Sequence, residues 1–344
     1  MSKNDLKQPA LPWKLKILLS VYSFAVDITR RSDGSVNRCL MSLIDHKVAP
    51  SEKKLSNGIK SKDIIVDPTR NLWFRLYIPS KAIPLDDING HARLPVVFYF
   101  HGGGFAYFSP DSKRTDGFCC RLAGELSAFV ISVNYRLAPE HRYPCQLDDC
   151  FDALKFVDSN NIDGFSSYAN LTNCFLAGDS AGGNLAHHVA VKASGKNFRN
   201  IEVTGNILLQ PFFGGEERTE SELKLVGDPV VTIEKNDWFW ESVLPENSDR
   251  NHPAANVFGP NGVDISGVNF PPTIVVIGGF DPLKDWQEKY YEGLKQYGKE
   301  AYLVEYPNAI HAFYLFPELA ESSLLIKEVK DFVQKKPCTP LANI

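Results

Sequence analysis

The sequence lacks the marks of several functional classes. Its densest basic clusters are pairs, Arg30-Arg31 and Lys335-Lys336, and 37 Lys+Arg against 41 Asp+Glu leave a net charge of −4. Nucleic-acid binding needs a concentrated positive face that releases counterions, so nucleic acid is excluded as the main partner. The 7 cysteines, at 39, 119, 120, 145, 150, 174 and 338, show no zinc-ligand spacing. They read as reduced structural thiols, which suits a cytoplasmic or also nuclear setting. An uncharged run from Ile17 to Val26 follows Lys14 and Lys16. It is too short to span a bilayer and no small-x-small cleavage site follows, so neither a membrane span nor a leader is expected. Internal repeats and low-complexity segments are also missing.

What remains is an ordinary globular composition, 44% hydrophobic and 23% charged over 344 residues. That length allows one large α/β unit or two domains. Near the N-terminus, Pro12 suits a first helical turn, and Trp13, Ile17, Val21, Phe24 and Ile28 recur every three or four residues. This predicts an amphipathic helix ending near Arg30-Arg31. A second helix is expected from about Val36 to His46, with Leu40, Leu43 and Ile44 on one side. The pair is either a packed helical hairpin or a lid over a site.

From about residue 60 the chain alternates β-branched or aromatic runs with helical patterns, as a mostly parallel sheet flanked by helices requires. Ile64–Val66 and Leu72–Ile78, joined by Asp67-Pro68-Thr69-Arg70, predict an antiparallel start. A polar loop at 79–93 follows. Further strands are expected at 94–100, 128–134, 173–177, 205–210, 272–277 and 301–306, with helices near 114–126, 146–158, 181–193, 284–297 and 320–335. Residues 214–260, with a Trp238/Phe239/Trp240 patch, break the alternation and read as a cap-like insertion. The expected organisation is an N-terminal helical segment, 1–59, and one catalytic domain, 60–344.

Gly178-Asp179-Ser180-Ala181-Gly182 follows a predicted strand and precedes a small-residue helix. A nucleophile on a tight strand-to-helix turn needs small neighbours on both sides, and such a turn presents the Ser180 hydroxyl at the top of the sheet. His101-Gly102-Gly103-Gly104-Phe105 follows the strand 94–100. Successive glycines there cost entropy and contribute no packing. No Walker lysine follows, and the pattern does not fit a dinucleotide fingerprint. In an acyl-transfer enzyme, such glycines turn main-chain N–H groups toward a developing oxyanion, and the Ala181 N–H completes the hole.

A serine nucleophile needs a base, and in this architecture the order is Ser, acid, His. Of the eight histidines, His187 and His188 lie in the helix after Ser180 and His252 in the insertion. His311, on the loop after the strand 301–306, can reach back over the sheet. The acid should follow the strand 272–277, which leads to Asp281; Asp285 is the rival, a turn into the next helix and better suited to that helix's N-terminus. Arg136 and Glu140 read as organisers of the turn after strand 128–134, and Asp148 and Asp149 as partners of the next helix N-terminus. Asn170-Leu171-Thr172 is a formal glycosylation sequon expected to be unused. Trp286, Tyr290, Leu294 and Tyr297 read as core.

Taken together, His101–Phe105, Tyr135–Glu140, Gly178–Gly183 and Ile310–Phe313 resemble plant carboxylesterases of the hormone-sensitive-lipase-like group. The resemblance covers nearly the whole chain and implies an α/β-hydrolase fold. It also implies a triad of Ser180, Asp281 and His311, with oxyanion donors at Gly103, Gly104 and Ala181. The implied activity is hydrolysis of a small-molecule ester without metal or organic cofactor; oligomeric state is left unassigned. Gibberellin receptors are similar along much of the chain, including Arg30–Arg38, and there the N-terminal segment closes as a lid, which favours that role here. This chain departs from them in having Gly104 where receptors typically carry Ser, and in keeping His311 where they carry an aliphatic residue. A further relative type uses the same scaffold for elimination or cyclisation, so a lyase is a third reading.

Overall fold

The computed structural model describes residues 11–51, 58–80, 93–225, 228 and 230–335. Residues 81–92 of the expected polar loop lie outside these, as do His91, Lys336 and Cys338. The described strands are β1 (Ile59–Asp67), β2 (Leu72–Pro79), β3 (Leu94–Phe100), β4 (Phe129–Asn134), β5 (Ala169–Asp179), β6 (Val203–Leu209), β7 (Thr273–Phe280) and β8 (Ala301–Ile310). They form one sheet in the order β1-β2-β4-β3-β5-β6-β7-β8. β2 runs antiparallel to β1 and β4, and every later pairing is parallel. The first hairpin turns where the Asp67 side chain accepts the Thr69 N–H at 2.9 Å.

Parallel strands are buried on both faces, and the sequence supplies apolar residues to both. Phe98 shares one buried core with Leu154 of α4 (Cys145–Ser159), Leu185 of α5 (Ala181–Ser194) and Tyr290 of α8 (Lys284–Gln296). Its neighbours Val97 and Tyr99 face α3 (Lys113–Leu126) and α9 (Ala320–Val333). Full burial of a side chain such as Phe98 contributes about 1.5–3 kcal/mol. Trp286, Tyr290 and Leu294 are core, as their spacing predicts.

The N-terminal helices are α1 (Trp13–Thr29) and α2 (Arg38–Ile44), the latter capped by the Asn37 side chain, which accepts the Leu40 N–H. α1 buries the face opposite to the expected one. Leu15, Leu19, Ala25 and Val26 are covered, while Trp13 is 67% and Phe24 64% exposed. The helix carries two apolar stripes of equal periodicity, and only the position of the sheet decides which is covered. The expected α2 face is likewise open, since Met41 is buried and Leu43 is exposed.

Between β6 and β7 lie two further helices, α6 (Glu220–Lys224) and α7 (Ile233–Val243). Charged groups fasten the N-terminal segment to what lies beneath. Arg38 pairs with Glu140 and donates to the Ala138 carbonyl at 2.6 Å. Lys235 of α7 reaches Asp27 of α1 at 3.4 Å. Glu140 therefore serves the N-terminal helices rather than sharing a turn with Arg136. Arg136 instead forks onto the fully buried Asp149, at 2.8 and 2.9 Å. A charge sealed from water needs such a partner, so Asp149 leaves the helix terminus to Asp148. Among the described residues, no helix is long and apolar enough to cross a membrane.

Candidate active site

Ser180 sits between β5 and α5 with φ +50° and ψ −117°, a conformation that costs a non-glycine residue about 1–3 kcal/mol. The flanking glycines make it possible. A Cβ on Gly178 would lie 2.1 Å from the Gly182 carbonyl oxygen, and one on Gly182 would lie 1.8 Å from that of Phe100. The turn therefore closes against β3 only without side chains at both positions.

His311 follows β8, and its Nε2 lies 3.1 Å from Ser180 Oγ. On its other side Nδ1 is 2.8 Å from Asp281 Oδ2. Asp281 is fully buried just past the end of β7, and Leu283 N–H donates to its Oδ1 at 2.9 Å. Burial pushes the His311 imidazole pKa down, but the Asp281 carboxylate, its hydrogen bond and the more distant Asp228 and Asp179 outweigh that, leaving it raised above 6.5. The rival acid, Asp285, lies in the first turn of its own helix α8, as expected, and also accepts the Ser221 N–H of α6 at 2.8 Å. The passed-over histidines are engaged elsewhere: His187 contacts the Tyr290 hydroxyl at 2.9 Å, and His252 accepts the Ala254 N–H at 3.1 Å.

The glycine loop lies beside this row. Gly103 and Gly104 adopt φ of +108° and +60°, and a Cβ on Gly104 would lie 2.3 Å from the Phe239 ring. The main-chain N–H groups of Gly103, Gly104 and Ala181 make no hydrogen bond to a protein acceptor among the described residues. Gly103, Gly104, Ser180 and His311 line a cavity of about 600 Å³ whose other walls include Leu19, Tyr22 and Val26 of α1 and Phe239 of α7. His101 shapes the loop from below. Its ring stacks on Tyr135 at 4.3 Å, its Nδ1 is 2.8 Å from the Gly102 carbonyl, and burial pushes its pKa down to about 4.

A family model described as alpha/beta hydrolase fold matches residues 97–315, which hold Ser180, Asp281, His311 and the glycine loop. The chain belongs to the α/β-hydrolase family. Within this family it is 43% identical to the gibberellin receptor GID1C of Arabidopsis thaliana over 329 residues, 94% of each chain. It is 36% identical to carboxylesterase 20 of the same plant, covering 80% of this chain and 85% of that one. A solved esterase from the archaeon Pyrobaculum calidifontis is 29% identical, with a TM-score of 0.71 and coverage of 96% and 99%.

Several groups that hold this α/β-hydrolase site together were not singled out by the sequence. Asp179, next to Ser180, accepts the Tyr99 hydroxyl and the Gly102 N–H on Oδ1, at 2.5 and 2.8 Å, and the Tyr314 hydroxyl on Oδ2 at 3.1 Å. Gln210 donates to Asp281 at 3.0 Å and to the Ile310 carbonyl at 3.1 Å, while its oxygen accepts the Ala312 N–H at 2.8 Å. It thereby brackets His311 from both chain directions. Gln287 adds a donor to Asp281 Oδ2 at 2.9 Å. Asp228 accepts the Val230 and Val231 N–H groups, and burial pushes its carboxyl up to about 6. Asp179 is the variable position of the glycine-serine motif, so attention to that position is the one signal that could have found it.

Proposed function

We propose that this chain is a serine carboxylesterase acting on small carboxylic esters through an acyl-enzyme on Ser180. The observation that carries this reading is the continuous row from Ser180 Oγ through His311 to the buried Asp281, at 3.1 and 2.8 Å. Ser180 Oγ bonds to the ester carbonyl carbon as its proton passes to His311 Nε2. Asp281 holds the imidazole with Nδ1–H toward itself and supports the cation that forms. The carbonyl oxygen becomes an oxyanion, received by the N–H groups of Gly103, Gly104 and Ala181, which have no acceptor among the described residues to give up. The C–O bond to the alcohol breaks as His311 returns the proton to the leaving oxygen. Water then attacks the acyl-enzyme with His311 again as base, releasing the acid and the Ser180 hydroxyl.

The α1–α2 segment, 1–59, acts as the lid of the catalytic unit and the 214–260 segment as its cap, since both contribute walls to the cavity. Replacement of Ser180 or His311 by Ala lowers kcat for p-nitrophenyl butyrate by up to ~10⁶-fold, as in another triad enzyme. Turnover of the Ser180→Ala protein at the unmodified rate would overturn the mechanism. A second reading, a receptor-like binding protein, is favoured by the 43% identity to a gibberellin receptor. A calorimetric titration with gibberellin decides it: no measurable heat is expected from an esterase of other substrates, and tight saturable binding would favour the receptor.

A further inference from the structure

The roof of the cavity contains two polar groups that the proposed chemistry does not use. Asn236, on α7, is 4% exposed and lines the cavity, yet its carboxamide makes no hydrogen bond to any group among the described residues. Tyr22, on α1, also lines the cavity; its ring stacks on Phe108 at 5.5 Å, and its hydroxyl has no hydrogen-bond partner among the described residues. Asn236 is buried and Tyr22 half-buried, and the polar atoms of both stay open to the cavity rather than sealed in the core, so both are free to pair with something that enters it.

Their placement relative to Ser180 follows from three contacts. Phe239 fills the space over Gly104. Asn236 precedes it by three residues on α7, a rise of about 4.5 Å along the helix axis. Lys235, next to Asn236, reaches Asp27 and donates to the Ser23 hydroxyl, next to Tyr22. The same α1–α7 clamp thus brings Tyr22 and Asn236 to one part of the roof, about one helical turn beyond the wall over the oxyanion loop.

We propose that Asn236 and Tyr22 form a specificity pair that binds an uncharged oxygen of the substrate, a hydroxyl or carbonyl set away from the scissile ester. This rests on the esterase reading. Both groups can donate as well as accept, which suits such an oxygen. Beside the pair, Lys235 is committed to Asp27 and Ser23 and the Asp45 carboxylate acts on Tyr22, which disfavours an anionic group at this place; the cationic side chains among the cavity's lining residues, Lys113, Arg114 and Arg121, belong to α3 instead. A purely apolar ester would leave both groups unpaired, and sites built to hydrogen-bond reject such analogues strongly. The substrate class is therefore an apolar ester carrying a remote neutral oxygen function.

The test compares kcat/KM for matched pairs that vary either side of the ester. p-Nitrophenyl hexanoate is set against its 5-hydroxy and 5-oxo counterparts, and cyclohexyl acetate against the monoacetate of 1,4-cyclohexanediol. The protein should prefer an oxygenated member by about tenfold or more, and Asn236→Leu or Tyr22→Phe should bring that ratio toward one. Tyr22→Phe removes a single oxygen and carries the test if Asn236→Leu does not fold. Turnover of the plain esters with no preference in either series, or a preference unchanged in both variants, overturns the pair while leaving the esterase reading intact. If no ester turns over, the esterase reading fails. Calorimetric binding of the same compounds to Ser180→Ala then reads the pair alone: tighter binding of the oxygenated member supports it, and equal binding overturns it.

Discussion

The Asp179 carboxylate holds the Gly102 N–H at 2.8 Å, tying the residue before Ser180 to the loop that carries Gly103 and Gly104. Burial raises the Asp179 pKa against the pull of its three donors. The nucleophile turn and the proposed oxyanion donors are thus fixed to one another by a single side chain. Asp179→Ala leaves the Tyr99 and Tyr314 hydroxyls and the Gly102 N–H without their acceptor. We expect a loss of about 2–4 kcal/mol in chemical denaturation, with kcat falling more than KM rises. Stability within about 0.5 kcal/mol of the unmodified protein would mean that the tie is not structural.

The pH profile follows from His311. In the proposed mechanism the imidazole must be neutral to accept the Ser180 proton, and its pKa in the unliganded protein is raised, with the Asp281 carboxylate the largest of the raising influences. The acid limb of kcat/KM therefore lies above 6.5, activity falling as pH drops through it. Asp228, with a pKa of about 6, is ionised above that pH and adds to the upward push on His311. Asp228→Asn keeps an acceptor for Val230 and Val231 but removes the charge, so it should move the acid limb to lower pH. An upward shift or none would rule out that coupling.

Gly104 and Phe239 compete for one space. Gly104→Ala places a methyl group 2.3 Å from the Phe239 ring on a residue with φ +60°. Displacement of the loop should cost about 10–100-fold in kcat/KM for p-nitrophenyl butyrate, short of the full loss of an oxyanion donor. Adding Phe239→Ala should recover part of that loss. A double variant no better than Gly104→Ala would locate the damage in the backbone rather than in the clash.

The sheet and the three residues of the row were legible because each leaves a local mark. Alternating apolar runs mark the strands, a glycine-flanked serine marks the tight turn, and strand order singles out His311 and Asp281. Gln210 and Gln287 left none, and Asp179 left only its place in the glycine-serine motif. Gln210 acts on Asp281 and Ala312, 71 and 102 residues away. Nothing near Gln210 in the chain distinguishes it from a surface glutamine. The buried face of α1 was misread for a related reason, since its two apolar stripes become unequal only when the cavity beneath Leu19 and Val26 exists. Glu140 and Asp149 were given local partners because local partners are the only ones a sequence displays.

The central claim is that Ser180 is a nucleophile activated by His311. Intact-mass analysis after exposure to an organophosphate or a slowly hydrolysed ester measures this directly. The account predicts one adduct per chain, mapped to Ser180, absent from Ser180→Ala and formed far more slowly in His311→Ala. An unmodified chain, or an adduct that persists in Ser180→Ala, would contradict it.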